Sequence, residues 1–185
     1  MAKKTLYTKA LEILVGAYTV GSDGTLTAPT SGDALDNVIA DSLSITQDDA
    51  DENTIDCETS DSPILTNYTA GAVKVDLNNA SIDSDFLTKV MGWVEITLAS
   101  NNTGYAMPET YTTRYIALQV KFANGYLYLP KISIAPKLVF ESLKSNVAYG
   151  TLSGTAEVVE LGEGPNKVRT AMATLKAAVL TKTAG

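Results

Sequence analysis

The sequence predicts a mainly β fold, a β-sandwich or open barrel, with one flanking α-helix at about 83–91 and a further helix at the C-terminus. Three observations predict it. Several segments alternate apolar and polar residues with period two. Asn124-Gly125 is a strong hairpin signal between two such segments. A single internal segment carries helix caps at both ends.

The elements follow in chain order. Residues 5–18 are apolar, fit both periods, and read as strand. Leu43 and Ile45 alternate with Ser42, Ser44 and Thr46. Val73, Val75 and Leu77 alternate with Lys74 and Asp76, giving one apolar and one polar face. The helix comes next. Ser81 and Asp83 are good N-cap types, Asp85 and Lys89 form an i, i+4 pair, and Gly92 suits a left-handed stop. Its packing residues are Phe86, Leu87, Val90 and Met91, with Ile82 on the same face. Trp93–Leu98 is another short strand.

Ile116, Leu118, Val120 and Phe122 form the clearest alternation and lead into Asn124-Gly125, read as a type I′ turn. The return strand starts at Tyr126. Pro130 and Pro136 predict that it is interrupted or lies at an edge, since proline lacks a ladder N–H. Leu138–Phe140 and Leu152–Val159 supply further strands. Val168, Met172, Leu175 and Val179 have helical spacing, which predicts the C-terminal helix. Three stretches read as long polar loops: Gly21–Asp36, Gln47–Asn53 and Ala99–Thr112.

Composition narrows the chemistry. The chain of 185 residues has no histidine and one cysteine, Cys57. Histidine is the usual general base near neutral pH and the commonest transition-metal ligand. Its absence excludes Ser-His-Asp and Cys-His catalysis and His-ligated zinc. A lone cysteine forms no internal disulfide, so the fold rests on packing. No apolar run reaches the roughly 20 residues of a membrane-spanning helix, and no secretory signal follows the basic start at Met1–Thr5.

Charge is uneven. From Ala10 to Val73 there are twelve acids and no Lys or Arg, whereas the rest holds all 14 bases and nine acids. The simple reading is a set of solvated acidic loops; the sharper one is an acidic half facing the basic half of a neighbour. In either case the acidic stretch suits no grip on phosphates, which needs Lys and Arg.

The sequence offers motifs that do not hold. Asp49-Ala50-Asp51-Glu52-Asn53 begins like a calcium loop, but Thr54 stands where glycine is needed and Ser60 where a bidentate Glu is needed. No glycine-rich phosphate loop precedes a helix. Nine tyrosines against three phenylalanines suit strands and wet interfaces. No catalytic, metal-binding or cofactor-binding set emerges, and no cofactor is expected.

A family resemblance spans roughly Leu35–Val159. Ser44-Ile45-Thr46-Gln47-Asp48 leads through an acidic turn to Thr54-Ile55-Asp56-Cys57-Glu58-Thr59 and then Asp61-Ser62-Pro63-Ile64. The alternating Ala72–Leu77 and the helix Ser81–Gly92 follow. This order resembles the major tail tube proteins of bacteriophages, whose fold is shared with the tubes of type VI secretion and contractile injection systems.

The resemblance implies a β-sandwich with a flanking helix, six copies closing a ring around a β-barrel, and rings stacking into a tube for DNA. It implies no catalysis. The implied partners are further copies of the chain, the terminator, tape measure and distal tail proteins, and viral DNA in transit without tight binding. The implied location is the virion tail, assembled in the host cytoplasm. An acidic bore would repel passing phosphates. Some of Asp48, Asp49, Asp51, Glu52, Asp56 and Glu58 are therefore expected to face the lumen or the adjacent ring.

The chain divides on this reading into an N-terminal arm and loop (1–34), a tail-tube-like β domain (35–161) and a C-terminal extension (162–185). The alternatives are a tube ring of an injection or secretion system, and a monomeric virion decoration or binding module.

Overall fold

A computed structural model of the chain describes residues 9–20, 26–30, 33–57, 60–110, 113–140, 148–162, 165 and 167–176; at 55–57, 60–65 and 101 the description covers the backbone alone. The fold is mainly β. Its strands are β1 (Glu12–Ala17), β2 (Thr19–Val20), β3 (Leu26–Thr27), β4 (Ser44–Gln47), β5 (Asp51–Cys57), β6 (Ser60–Thr69), β7 (Val73–Asn79), β8 (Val94–Leu98), β9 (Asn102–Ala106), β10 (Arg114–Phe122), β11 (Gly125–Val139), β12 (Tyr149–Ala156), β13 (Val159–Leu161), β14 (Val168–Thr170) and β15 (Ala173–Leu175).

Seven strands form one antiparallel sheet in the order β1-β10-β11-β12-β7-β4, with β15 also paired to β11. Ile13 and Val15 of β1 share one buried cluster with Val73, Val75 and Leu77 of β7, four strand positions along the sheet, through side chains of the intervening strands and the helix. The segment after Ala34 links the two strands. Leu35 N–H donates to Ile13 O, and Ile39 N–H donates to Asn78 O, both at 2.9 Å.

A short helix, Phe86–Val90, lies on the inner face. Phe86, Val90 and Met91 are buried, and Leu87 packs against the same core. Asp83 caps it as expected, with Phe86 N–H donating to Oδ1 at 2.7 Å. Its last turn is wide, since Met91 N–H reaches back to Phe86 O at 2.9 Å. Gly92 then takes φ +75°, the left-handed stop. Arg114, which the sequence did not single out, donates from Nη2 to Thr88 O and Lys89 O at 3.0 Å each. It satisfies carbonyls that a helix end leaves without partners.

The period-two segments hold. Val73, Val75 and Leu77 are buried while Lys74 and Asp76 are exposed. Strand β10 differs: Ile116 through Val120 are all buried. Its second face is covered too, since Ala117 packs with Ala28 and Tyr128 beneath Leu161 and Leu175.

Four expectations need correction. The return strand β11 is neither interrupted nor an edge; it runs 15 residues through the sheet interior. Both prolines sit where no ladder is lost. The β10–β11 register passes from Ile116↔Ile132 to Leu118↔Leu129, so β11 has one extra residue at a bulge beside Pro130. Pro136 lies past the last β10 pair, Arg114↔Ile134, where that side of β11 carries no partner from β10.

The hairpin turn is shifted by one residue. Phe122 pairs with Gly125, so Ala123-Asn124 form the connection and Gly125 alone takes positive φ, +151°. The C-terminal helix is absent over the described residues. Val168–Thr170 pairs with β13, and Ala173–Leu175 joins β11. Thr170 Oγ1 donates to Met172 O at 2.7 Å and accepts Met172 N–H at 3.2 Å, a side-chain turn that breaks the helical run. Val179 lies outside the described residues.

The polar loops are shorter than expected. Strand β3 lies inside the first, β5 begins at Asp51, and β9 occupies Asn102–Ala106.

Candidate functional site: an assembly surface

Four two-stranded sheets form no ladder with the main sheet, β2–β3, β5–β6, β8–β9 and β13–β14, of which β5–β6 and β8–β9 are the longest. The β5–β6 ladder pairs Asp51↔Thr69 through Ile55↔Leu65, shifts register, and resumes at Cys57↔Ser60. β8–β9 pairs Val94↔Ala106 through Leu98↔Asn102, turning at Ser100 with φ +66°. Pro63 falls within β6, a strand with one ladder partner, where a missing N–H is tolerated.

An isolated two-stranded hairpin is marginal in water. These two also hold large exposed apolar groups: Tyr68 on β6, Val94 and Leu98 on β8, and Met107 just after β9. Three of them, Val94, Leu98 and Met107, lie on or beside β8–β9.

Four of the predicted acids lie at the base of β5–β6. Asp48 follows edge strand β4 and pairs with Lys74, Nζ to Oδ2 2.8 Å, in an exposed contact of small energetic weight. Asp49 is exposed in the connection to β5, and Asp51 and Glu52 are exposed at its start. The structure thus brings four of the six together. Asp56 has its backbone in β5, with its side chain outside the description. Glu58 lies outside the described residues. Gly71 closes this base: a Cβ there would collide with the Asp48 carbonyl oxygen.

A second polar cluster lies on the outer face. Lys131 pairs with Glu157 and stands 4.2 Å from the ring centroid of Tyr115. Tyr18 packs edge-on against Tyr115 with centroids 6.3 Å apart. The Glu157 hydrogen bond holds the Lys131 ammonium above its ordinary pKa, against a smaller opposing effect of desolvation. Tyr128 nearby is buried, and burial pushes its phenol up to about 12. Its hydroxyl has no hydrogen-bond partner among the described residues. Sequence reasoning missed this cluster, because its members come from separate strands with no local signal.

No helix of the described residues is long and apolar enough to cross a membrane. No family model matches this chain, and no curated protein matches it either.

Proposed function

We propose that this chain is the structural subunit of a bacteriophage tail tube. It assembles without catalysis into stacked rings, six-membered on the resemblance. The observation that carries assembly is the two longest self-paired hairpins, β5–β6 and β8–β9, with their exposed apolar side chains. Hairpins of this kind are marginal by themselves, and a covering molecule would stabilise them.

The edge strand β4 continues through Asp48 and Asp49 into β5, so the acids lie beside an edge open to another chain. In a tube, that edge closes by pairing, and the acids around it keep a passing polyanion from sticking. The further partners are those of a tail: terminator, tape measure and distal tail proteins, with assembly in the host cytoplasm and residence in the virion.

Electron microscopy of the purified chain across concentration and ionic strength tests the reading. Rings and hollow tubes are the expected result. A dispersed monomer under every condition would overturn it.

A further inference from the structure

We propose that residues 1–8 dock in an apolar groove of their own chain, with Leu6 and Tyr7 as the anchoring side chains. The groove is a cavity of about 260 Å³. Ile45 of β4, Val73 of β7, Phe122 of β10, Leu127 of β11 and Met172 line it, with the exposed Thr46 beside them. Ile45, Phe122, Leu127 and Met172 pack against the main core and keep part of their surface exposed. Apolar surface gathered in a concave site favours an apolar occupant.

The point where the chain enters the sheet selects that occupant. Leu11 N–H donates to Lys121 O at 2.8 Å, and Glu12 pairs with Lys121 at 3.3 Å. The chain therefore joins β1 one residue away from Phe122 in the groove wall. Residues 1–8 lie outside the described residues and precede that point. Leu6 and Tyr7 stand four and three residues before Ala10, which itself packs against the main core. An extended chain covers about 10–14 Å over that interval, enough to carry both side chains into a cavity that begins at Phe122.

Charge points the same way. The sequence before β1 carries Lys3, Lys4 and Lys9. On the β4 side of the groove, Gln47 runs into Asp48, Asp49, Asp51 and Glu52, all exposed. Opposite charges across a docking surface fix its register. Residues 177–185 follow β15 and hold Val179 and Leu180, but they carry a single base, Lys182. The segment before β1 is the better match. The inference stands apart from the tail tube reading, since it concerns the dispersed subunit.

Disulfide trapping in the full chain tests it, in a Cys57→Ser background and below the concentration at which light scattering reports association. Thr46→Cys is combined in turn with Leu6→Cys, Tyr7→Cys and Val179→Cys. The expected product is an intrachain disulfide from position 6 or 7, formed severalfold faster than one from position 179 and identified by peptide mass. Trypsin supplies a readout without introduced cysteines. Leu6→Ser with Tyr7→Ser should speed cleavage after Lys4 and Lys9 severalfold while leaving far-ultraviolet circular dichroism unchanged, which separates release of the segment from unfolding. A faster disulfide from position 179 would give the groove to residues 177–185, and a disulfide found in dimers would give it to a second copy; either overturns the inference. So would the absence of any disulfide from positions 6 and 7, or equal trypsin rates in wild type and variant.

Discussion

Strand β7 and strand β8 are both short, antiparallel and rich in Val and Leu, yet they treat those residues in opposite ways. In β7, Val73, Val75 and Leu77 are 5%, 5% and 2% exposed. In β8, Val94 and Leu98 are 57% and 59% exposed. The ladders do not account for this, since both strands are hydrogen-bonded in register. The difference lies in what stands over each face. β7 lies between β12 and β4 with the helix and β1 across the core, whereas β8 has β9 as its one strand partner. Apolar residues in the first stabilise the subunit. In the second they remain exposed, the feature on which the proposed assembly rests.

The comparison is tested most severely in the core. Leu77→Ala removes a buried side chain whose surroundings come from several elements, so it should destabilise the subunit by about 2–5 kcal/mol. Urea unfolding followed by circular dichroism measures this. A loss below about 1 kcal/mol would mean that the core is loosely packed.

Next is Gly150→Ala. A Cβ on Gly150 would collide with the Phe86 ring, which anchors the helix to the sheet. Overpacking of this kind costs about 1–3 kcal/mol. Gly150→Ala combined with Phe86→Leu should recover part of the loss, because the shorter side chain vacates the space. Equal destabilisation in the single and double variants would place the helix elsewhere.

The second face of the sheet yields a pH-dependent test. Burial raises the Tyr128 phenol to about 12, from about 10 in an unfolded chain. The folded state therefore holds this proton more tightly than the unfolded state. The resulting stabilisation is complete below pH 10 and is lost as pH rises from about 10 to 12. Other tyrosines and lysines titrate in this window, so the informative quantity is the difference between wild type and Tyr128→Phe. The variant should lose stability less steeply across it. Near neutral pH its stability should match wild type or exceed it by about 1 kcal/mol, because the hydroxyl it removes has no hydrogen-bond partner among the described residues. Parallel pH profiles would show that Tyr128 is solvated.

What could be read in advance follows the same division. The alternation of Val73–Leu77 and the caps of the helix at Asp83 and Gly92 are local signals, and local chemistry decided them. β11 misled because its prolines were judged without their partners: a bulge opposite Ile116–Leu118 absorbs Pro130, and no local pattern announces a bulge. The helical spacing of Val168, Met172 and Leu175 lost to pairing with β13 and β11, a tertiary effect. The acidic cluster was partly legible, since Asp48, Asp49, Asp51 and Glu52 adjoin in sequence. The cluster of Lys131, Glu157, Tyr115 and Tyr18 was not, because its members come from separate segments that only the sheet brings together.

The smallest stability effect belongs to the hairpin, and it divides the two regions most cleanly. Val94→Ser with Leu98→Ser replaces two exposed side chains that touch no core. Surface changes of this kind shift stability by about 0.5 kcal/mol or less. The urea midpoint of the dispersed subunit should therefore hardly move. Assembly should suffer, because the apolar surface that another copy would cover has been made polar. Sedimentation velocity should show wild type forming large particles while the variant stays small at the same concentration. A variant that unfolds readily would place Val94 and Leu98 in the subunit's own core. A variant that assembles as well as wild type would assign the contact to β5–β6 and its acidic base instead, leaving β8–β9 with no part in the tube.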